Sequence, residues 1–184
     1  ITAHGGSGGF GPGAVGSVYL KNKTGEGIVR FDNHGTASGS WIPLGLNTST
    51  VFDSGEDRVV ISGEKMVVKP EHPMPLVMRH LTLEKGAVLT HVPTTAQAES
   101  SLLLTVVGTL TVDASSRIDV SGLGYGPGIT TGNTTQGGTT FRAGGSYGGL
   151  GGANGTPNVV YGDYRNPNEL GSGGGPDLGG STGG

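Results

Sequence analysis

The stretch from Leu102 to Gly122, LLLTVVGTLTVDASSRIDVSG, sets short alternating runs of Leu, Val, Ile and Thr on either side of brief turns and then does so again. In extended chain the side chains alternate faces, so Leu102, Leu104 and Val106 share one side, as do Leu110 and Val112, and then Ile118 and Val120. None of these runs is long enough to bury itself. The turns between them, at Gly108 and from Asp113 to Arg117, are so short that successive runs must be spatial neighbours, either as hairpins or as the corners of a coil.

Working outward, the same kind of run recurs through the first two thirds of the chain: SVYLK, IVRFD, STVFD, RVVIS, MVVK, PLVMRHLTLE and AVLTHV. The only helix-compatible stretch, Thr95 to Leu103, is short and follows Pro93. The reading is therefore all-β. Runs spaced roughly 8 to 12 residues apart suit a solenoid or a β-sandwich. Near-identical rungs without a series of Asn-Gly hairpin turns favour the solenoid.

Composition explains why such a chain needs stacked backbone. Glycine supplies 39 of 184 residues, against a usual share of roughly 7%. Each glycine loses much backbone entropy on folding and gives the core no side chain. Hydrophobic residues make up only 33%, so the core must be thin or shared with a neighbour.

The glycine is unevenly spread, which divides the chain into a β-solenoid core over 1–121, with a glycine-rich leading loop over 1–16, and a glycine-rich segment over 122–184. That last segment has the composition of a flexible linker. Yet Tyr147, Leu150, Tyr161, Tyr164 and Leu170 punctuate it as anchors, and glycine permits close backbone approach, so it is expected to pack on the core or on a neighbouring subunit.

Charge excludes several partners. A formal net charge of −3 with 14% charged residues provides no field to hold nucleic acid, and no apolar run approaches the roughly 20 residues of a membrane-spanning helix. Cysteine is absent, which removes disulfides, thiolate catalysis and cysteine-ligated metal, and favours a microbial surface product. The opening at Ile1, without a leader, reads as a processed product or an excised fragment.

AVGSVYLKNKTGEGIVRFDNHG, SWIPLGL, LTLEKGAVL, GTLTVDASSRIDVSGLGYGPG, GGSYGGLGG and YGDYRNPNELGSGGG, in this order, resemble the glycine-rich repeats of very large microbial cell-surface, adhesin-like proteins. The resemblance covers nearly the whole chain but carries no catalytic residue. It implies a right-handed parallel β-helix and an extracellular or cell-surface, filament-forming role. ITAHGGSGGFGPG at the start and IDVSGLGYGPG from Ile118 look like the same junction. Uncapped solenoid ends would then invite head-to-tail self-association into a fibre.

The alternative is a carbohydrate-binding or polysaccharide-degrading β-helix, which needs acids and bases converging on one rung face. The acids available are Asp32, Asp53, Asp57, Asp113 and Asp119, with Arg58 and Arg117 as nearby cations. Only Asp32-Asn33-His34-Gly35 sets an acid beside an imidazole, and it reads as a turn with Asn and Gly in left-handed geometry. No catalytic residue is assigned, and no enzyme is expected.

Histidines His4, His34, His72, His80 and His91 lack zinc-ligand spacing. Calcium is the one cofactor the tail allows, through Asp163, Asp177 and many carbonyls, but the GGxGxD nonapeptide is not repeated. Trp41, Tyr19, Tyr125, Tyr147, Tyr161 and Tyr164 are read as packing groups before a sugar-stacking surface. Four sequons, at Asn22, Asn47, Asn133 and Asn154, are candidate N-glycosylation acceptors, and Thr130 to Thr140 is a candidate O-glycosylated run. A threonine-ladder module ranks last, since only Thr109-Leu110-Thr111 and Thr82 hint at one.

Overall fold

The computed structural model describes residues 1, 3, 15–21, 23, 25–35 and 41–176, with the backbone of two short strands nearer the start. His4, Asn22 and Asp177 lie outside the described residues. The strands are β1 (Ser7–Gly8), β2 (Gly11–Pro12), β3 (Ser17–Leu20), β4 (Ile28–Asp32), β5 (Ile42–Leu44), β6 (Phe52–Asp53), β7 (Arg58–Ser62), β8 (Val67–Pro70), β9 (Leu76–Met78), β10 (His80–Glu84), β11 (Val88–Leu89), β12 (Leu104–Val106), β13 (Leu110–Val112) and β14 (Arg117–Ile118). No helix occurs among the described residues.

Two compact units form: Ile1–His91 with Leu102–Asp119, and Val92–Ser101 with Val120–Gly184. The first is a parallel β-solenoid of about 3 turns, not a sandwich. Its sheets run β13-β10-β7-β4-β3, β14-β11-β8-β5 and β12-β9-β6. Every third strand returns to the same sheet, so the turns at Gly108 and Asp113 to Arg117 are coil corners rather than hairpins. β3 is the exception, pairing antiparallel with β4.

Registered pairing turns the alternation of the sequence into columns. Val29, Val59, Leu81 and Leu110 stack in the first sheet beside Phe31, Ile61, Leu83 and Val112. Ile42, Val68, Leu89 and Ile118 stack in the second, and Phe52, Leu76 and Leu104 in the third. One such column places each branched side chain on the next at the ~4.8 Å strand spacing, which is how so little apolar sequence makes a dry core. Val59, Ile61, Leu76, Leu81, Leu83 and Leu89 are all fully buried. Among the described residues no further strand pairs with the last rung, and Leu110, Val112 and Ile118 remain 46%, 40% and 37% exposed. Thr82 and Thr111 do stack on the outer face, but Val60 continues their column, so no threonine ladder extends along the solenoid.

The coil from β11 to β12 makes a detour. The chain leaves after His91 and returns at Leu102, then rejoins in register as Leu104 pairs with Leu76. The helix-compatible Thr95–Leu103 stretch lies mostly within this excursion, where Thr95 and Ala98 bridge across a tight turn.

The second unit holds its described residues by other means. Asn158 to Tyr161, β-prone in sequence, forms no strand. Extended glycine segments instead exchange single backbone hydrogen bonds: Tyr125 N donates to Gly171 O (2.9 Å), Gly128 N to Gly174 O (2.8 Å), Gly175 N to Ala143 O (2.8 Å) and Gly144 N to Gly152 O (2.8 Å). A Cβ on Gly173 would overlap the Gly126 carbonyl, and one on Gly175 the Phe141 carbonyl. Only glycine allows backbones this close.

Its interior is largely polar. Thr130, Thr139, Ser146, Asn158 and Ser172 are buried, and Asn158 joins them. Its Oδ1 accepts from Thr139 Oγ1 (3.0 Å) and Ser146 N (2.7 Å), and its Nδ2 donates to Ser146 O (3.1 Å) and Val159 O (2.9 Å). Thr130 and Ser172 hydroxyls bond at 2.8 Å. Of the expected anchors, Tyr147 and Tyr161 pack edge to face at 5.3 Å, while Leu150 and Tyr164 are 71% and 78% exposed and anchor nothing.

Candidate functional site

The corner between the first and second sheets carries Asp32, Glu64, Lys65, Lys85 and Arg117. At each of three successive rungs the chain turns there through a residue with positive φ: His34 at 50°, Lys65 at 56° and Lys85 at 60°. Of the two residues expected in left-handed geometry, Gly35 takes it (φ 77°), but His34 rather than Asn33 is the other. Asn33 is buried instead. Its Nδ2 donates to Glu64 O (2.8 Å) and its Oδ1 accepts from Gly35 N (3.1 Å), so its amide serves two rungs at once.

A groove of about 590 Å³ runs along this corner, lined by Glu64, Lys65, Val67, Lys85, Gly86, Val88, Ser115 and Arg117. A second concavity, toward the first rung, shares Glu64 and Lys85 and adds Asp32 and His34. Val67 and Val88 pair in register and Arg117 continues their column.

Beside the corner, Arg30 Nη2 bridges Asp32 Oδ2 (2.9 Å) and Glu84 Oε1 (3.2 Å), carboxylates two rungs apart with Ser62 between them in register. Burial pushes the Asp32 carboxyl up, but the His34 amide and Arg30 outweigh it and leave Asp32 below its ordinary range. A carboxylate pinned by an arginine is a poor proton donor near neutral pH.

The other nominated acids are each spent on a different local partner. Asp57 accepts from Tyr19 Oη (2.6 Å), Gly27 N (2.8 Å) and Lys21 Nζ (3.1 Å), and these donors hold its carboxyl low. Asp113 accepts from Lys85 N (2.6 Å), Ser115 N (2.9 Å) and Ser116 N (2.8 Å), which hold it far below the usual carboxylate range. Asp53 takes Gly55 N (2.7 Å), Asp119 takes Arg117 Nε (2.9 Å), and Arg58 Nη2 reaches Glu26 Oε2 (3.3 Å). These are turn caps and rung ties.

Histidines behave likewise. His72 Nε2 meets Ser49 O at 2.6 Å, His80 Nδ1 accepts from Thr109 N at 3.0 Å, and His91 is buried. Among the described residues no three His, Cys, Asp or Glu side chains gather as a metal site, and Asp163 caps its own turn through Arg165 N (2.9 Å).

The aromatic residues divide by unit. In the solenoid, Trp41 is 39% exposed with Lys69 Nζ 4.5 Å over its ring. Tyr19 is exposed and tied to Asp57 by its hydroxyl. In the second unit Tyr125 is buried with its hydroxyl on Glu99 (2.8 Å), and burial first, then that bond, pushes it up to about 12.

Of the sequons, Asn47 and Asn154 are exposed. Asn133 sits at φ 53° with Nδ2 donating to Thr95 O (2.8 Å), so its glycan-accepting nitrogen is already engaged.

Glu64, Lys65, Glu84 and Lys85 were not singled out in sequence. Their signal was there: Gly63-Glu64-Lys65 and Glu84-Lys85-Gly86 repeat a Glu-Lys pair beside glycine at successive corners. Comparison of the chain with protein-family models, curated proteins and solved structures finds no match to any of them.

Proposed function

We propose that this chain is a structural module of an extracellular or cell-surface filament or giant adhesin, assembling end to end and performing no catalysis. The observation that supports it is the half-exposed apolar rung of Leu110, Val112 and Ile118 at the free edges of β13 and β14. An unpaired, apolar sheet edge is a template for another chain. A second copy matches it. At the opposite end β5 and β6 are the outermost strands of their sheets among the described residues, so a following Ile42, which is buried within the single chain, would continue the Ile118 column once uncovered, and a following Phe52 the Leu104 column. In the first sheet β13 would meet β3, which lies antiparallel to its neighbour.

The contact is heterologous and does not close, so its product is a fibre. Commitment of every nominated acid to a local bond supports a scaffold over a hydrolase.

Sedimentation velocity and negative-stain imaging test the proposal. The intact chain should form species well above 18.4 kDa, extended along one axis, and Leu110→Lys with Ile118→Lys should return it to single particles. A wild-type chain that stays monomeric at high concentration overturns the reading.

A further inference from the structure

We propose that the corner groove binds a linear acidic polysaccharide of the carboxylate-bearing, polyuronate class, with Lys65 and Lys85 contacting the anionic groups of successive sugars. This inference is independent of fibre formation.

The first observation is conformational. Left-handed geometry is the province of glycine, because a Cβ crowds the backbone there. The solenoid carries non-glycine residues at such positions in three successive corners, and all three side chains are His or Lys: His34, Lys65 and Lys85. The three do not align in register, Lys85 standing where Gly63 stands and Lys65 where Gly86 stands, so a strained basic residue is kept at a different position of each corner, and such strain points from the outlier toward function. Folding alone would have been served better by glycine.

The second observation is electrostatic. Neither the Lys65 nor the Lys85 ammonium forms an ion pair or side-chain hydrogen bond among the described residues, whereas most other charged groups of the solenoid's outer surface are paired. Both face one groove, whose volume of about 590 Å³ falls within the usual range for ligand sites of roughly 300–1,000 Å³. Arg117 joins them, its Nε held by Asp119 at 2.9 Å and the rest of its guanidinium left for a bidentate contact with a carboxylate. Glu64 is the single acid of the lining.

The third observation is spacing. The lysines stand on successive rungs, which repeat at the ~4.8 Å strand separation, but they are offset along the corner, Lys85 directly following β10 and Lys65 lying two residues before β8. A polyuronate extended along the solenoid axis advances by about one sugar per rung. Between the cations, Val67 and Val88 form an apolar floor and Ser115 a hydroxyl edge, which suits the C–H face and ring hydroxyls of a pyranose. Nucleic acid fits less well, because no aromatic side chain lines the groove for base stacking.

The test uses the full chain and three probes: polygalacturonate, neutral dextran and single-stranded DNA, titrated by calorimetry at low and moderate salt. Polygalacturonate should bind, with affinity falling as salt rises, and dextran should not. The Lys65→Gly/Lys85→Gly double variant should weaken binding by at least about tenfold while its melting temperature holds or rises, because glycine relaxes both left-handed positions. Lys65→Gln/Lys85→Gln should lose binding equally, which guards against misfolding of the glycine form. Absence of polygalacturonate binding, unchanged binding by both double variants, or equal affinity for DNA would overturn the proposal.

Discussion

The side-chain amide of Asn33 fills the space that a Cβ on Gly63 would need, so two consecutive corners of the solenoid interlock through one polar side chain and one absent one. Gly63 also sits at φ 140°, where side chains are rarely found. This pair is what lets the first corner turn without leaving a buried amide unbonded, because Asn33 Nδ2 then reaches Glu64 O.

Gly63→Ala should therefore destabilise the solenoid more than Asn33→Ala, since it adds a clash to the strain. The double variant should be less damaged than the sum of the two, because removing Asn33 vacates the contested space while the φ strain stays. Chemical denaturation of the three variants measures this. Strict additivity would show that the two residues do not share that space.

Core columns give a graded test within one line of side chains. Leu81→Ala should cost about 3 kcal/mol, as expected for a fully buried leucine leaving a cavity. Leu110→Ala, one rung along the same column and 46% exposed, should cost less than about 1.5 kcal/mol in dilute, unassembled protein. Equal costs would mean that the last rung is covered in solution.

Acid should loosen the solenoid through its clasped carboxylates. Asp57, Asp113 and Asp32 are held below their ordinary values when folded, whereas an unfolded aspartate titrates near pH ~4. Their contribution is thus intact above about pH 4 and lost as the pH falls through the depressed folded values. Melting temperature should drop below that pH. Asp57→Asn, which weakens the hold on Tyr19, Lys21 and Gly27, should melt lower at pH 7 and show a shallower acid decline. An acid limb unchanged by Asp57→Asn would exclude this clasp as a contributor.

Alkali should act on the second unit. Tyr125 is raised to about 12, while an unfolded tyrosine titrates near pH ~10. Stability is therefore fully present below about pH 10 and lost as the pH climbs toward 12. Followed by the near-ultraviolet signal of the tyrosines, Tyr125→Phe should make that limb shallower, with Tyr147 and Tyr161, also raised, carrying the remainder.

Asn158→Ala should unravel the glycine-rich unit. It strands Thr139 Oγ1, Ser146 N and Ser146 O in a buried setting, at about 1–3 kcal/mol for each group left unsatisfied. Hydrogen exchange should show amides in 120–176 losing protection while those of β7 and β10 keep theirs. Loss of protection in both sets together would mean that the two units fold as one.

Much of the solenoid was legible because its columns repeat what the sequence repeats. The Leu-Thr-Val runs state period two directly, and short turns leave only neighbours as partners. Other features carry no such mark. SVYLK reads like any strand, and nothing in it shows that β3 runs antiparallel to β4. That 120–176 would pack was expected, but what holds it escaped, because it is backbone carbonyls together with Asn158, Ser146 and Thr139, residue types that sequence patterns assign to loops. The corner lysines were hidden because left-handed positions are sought at Gly and Asn, and Lys65 and Lys85 are neither.

The detour between His91 and Leu102 has a practical corollary. Because the coil resumes its alignment at Leu104 after the ten residues Val92–Ser101 have left it for the second unit, this corner is a port where chain length is uncoupled from the pitch of the stack. A tag or a whole inserted domain placed there should leave the rungs in step, carrying added cargo at a fixed place along the stack.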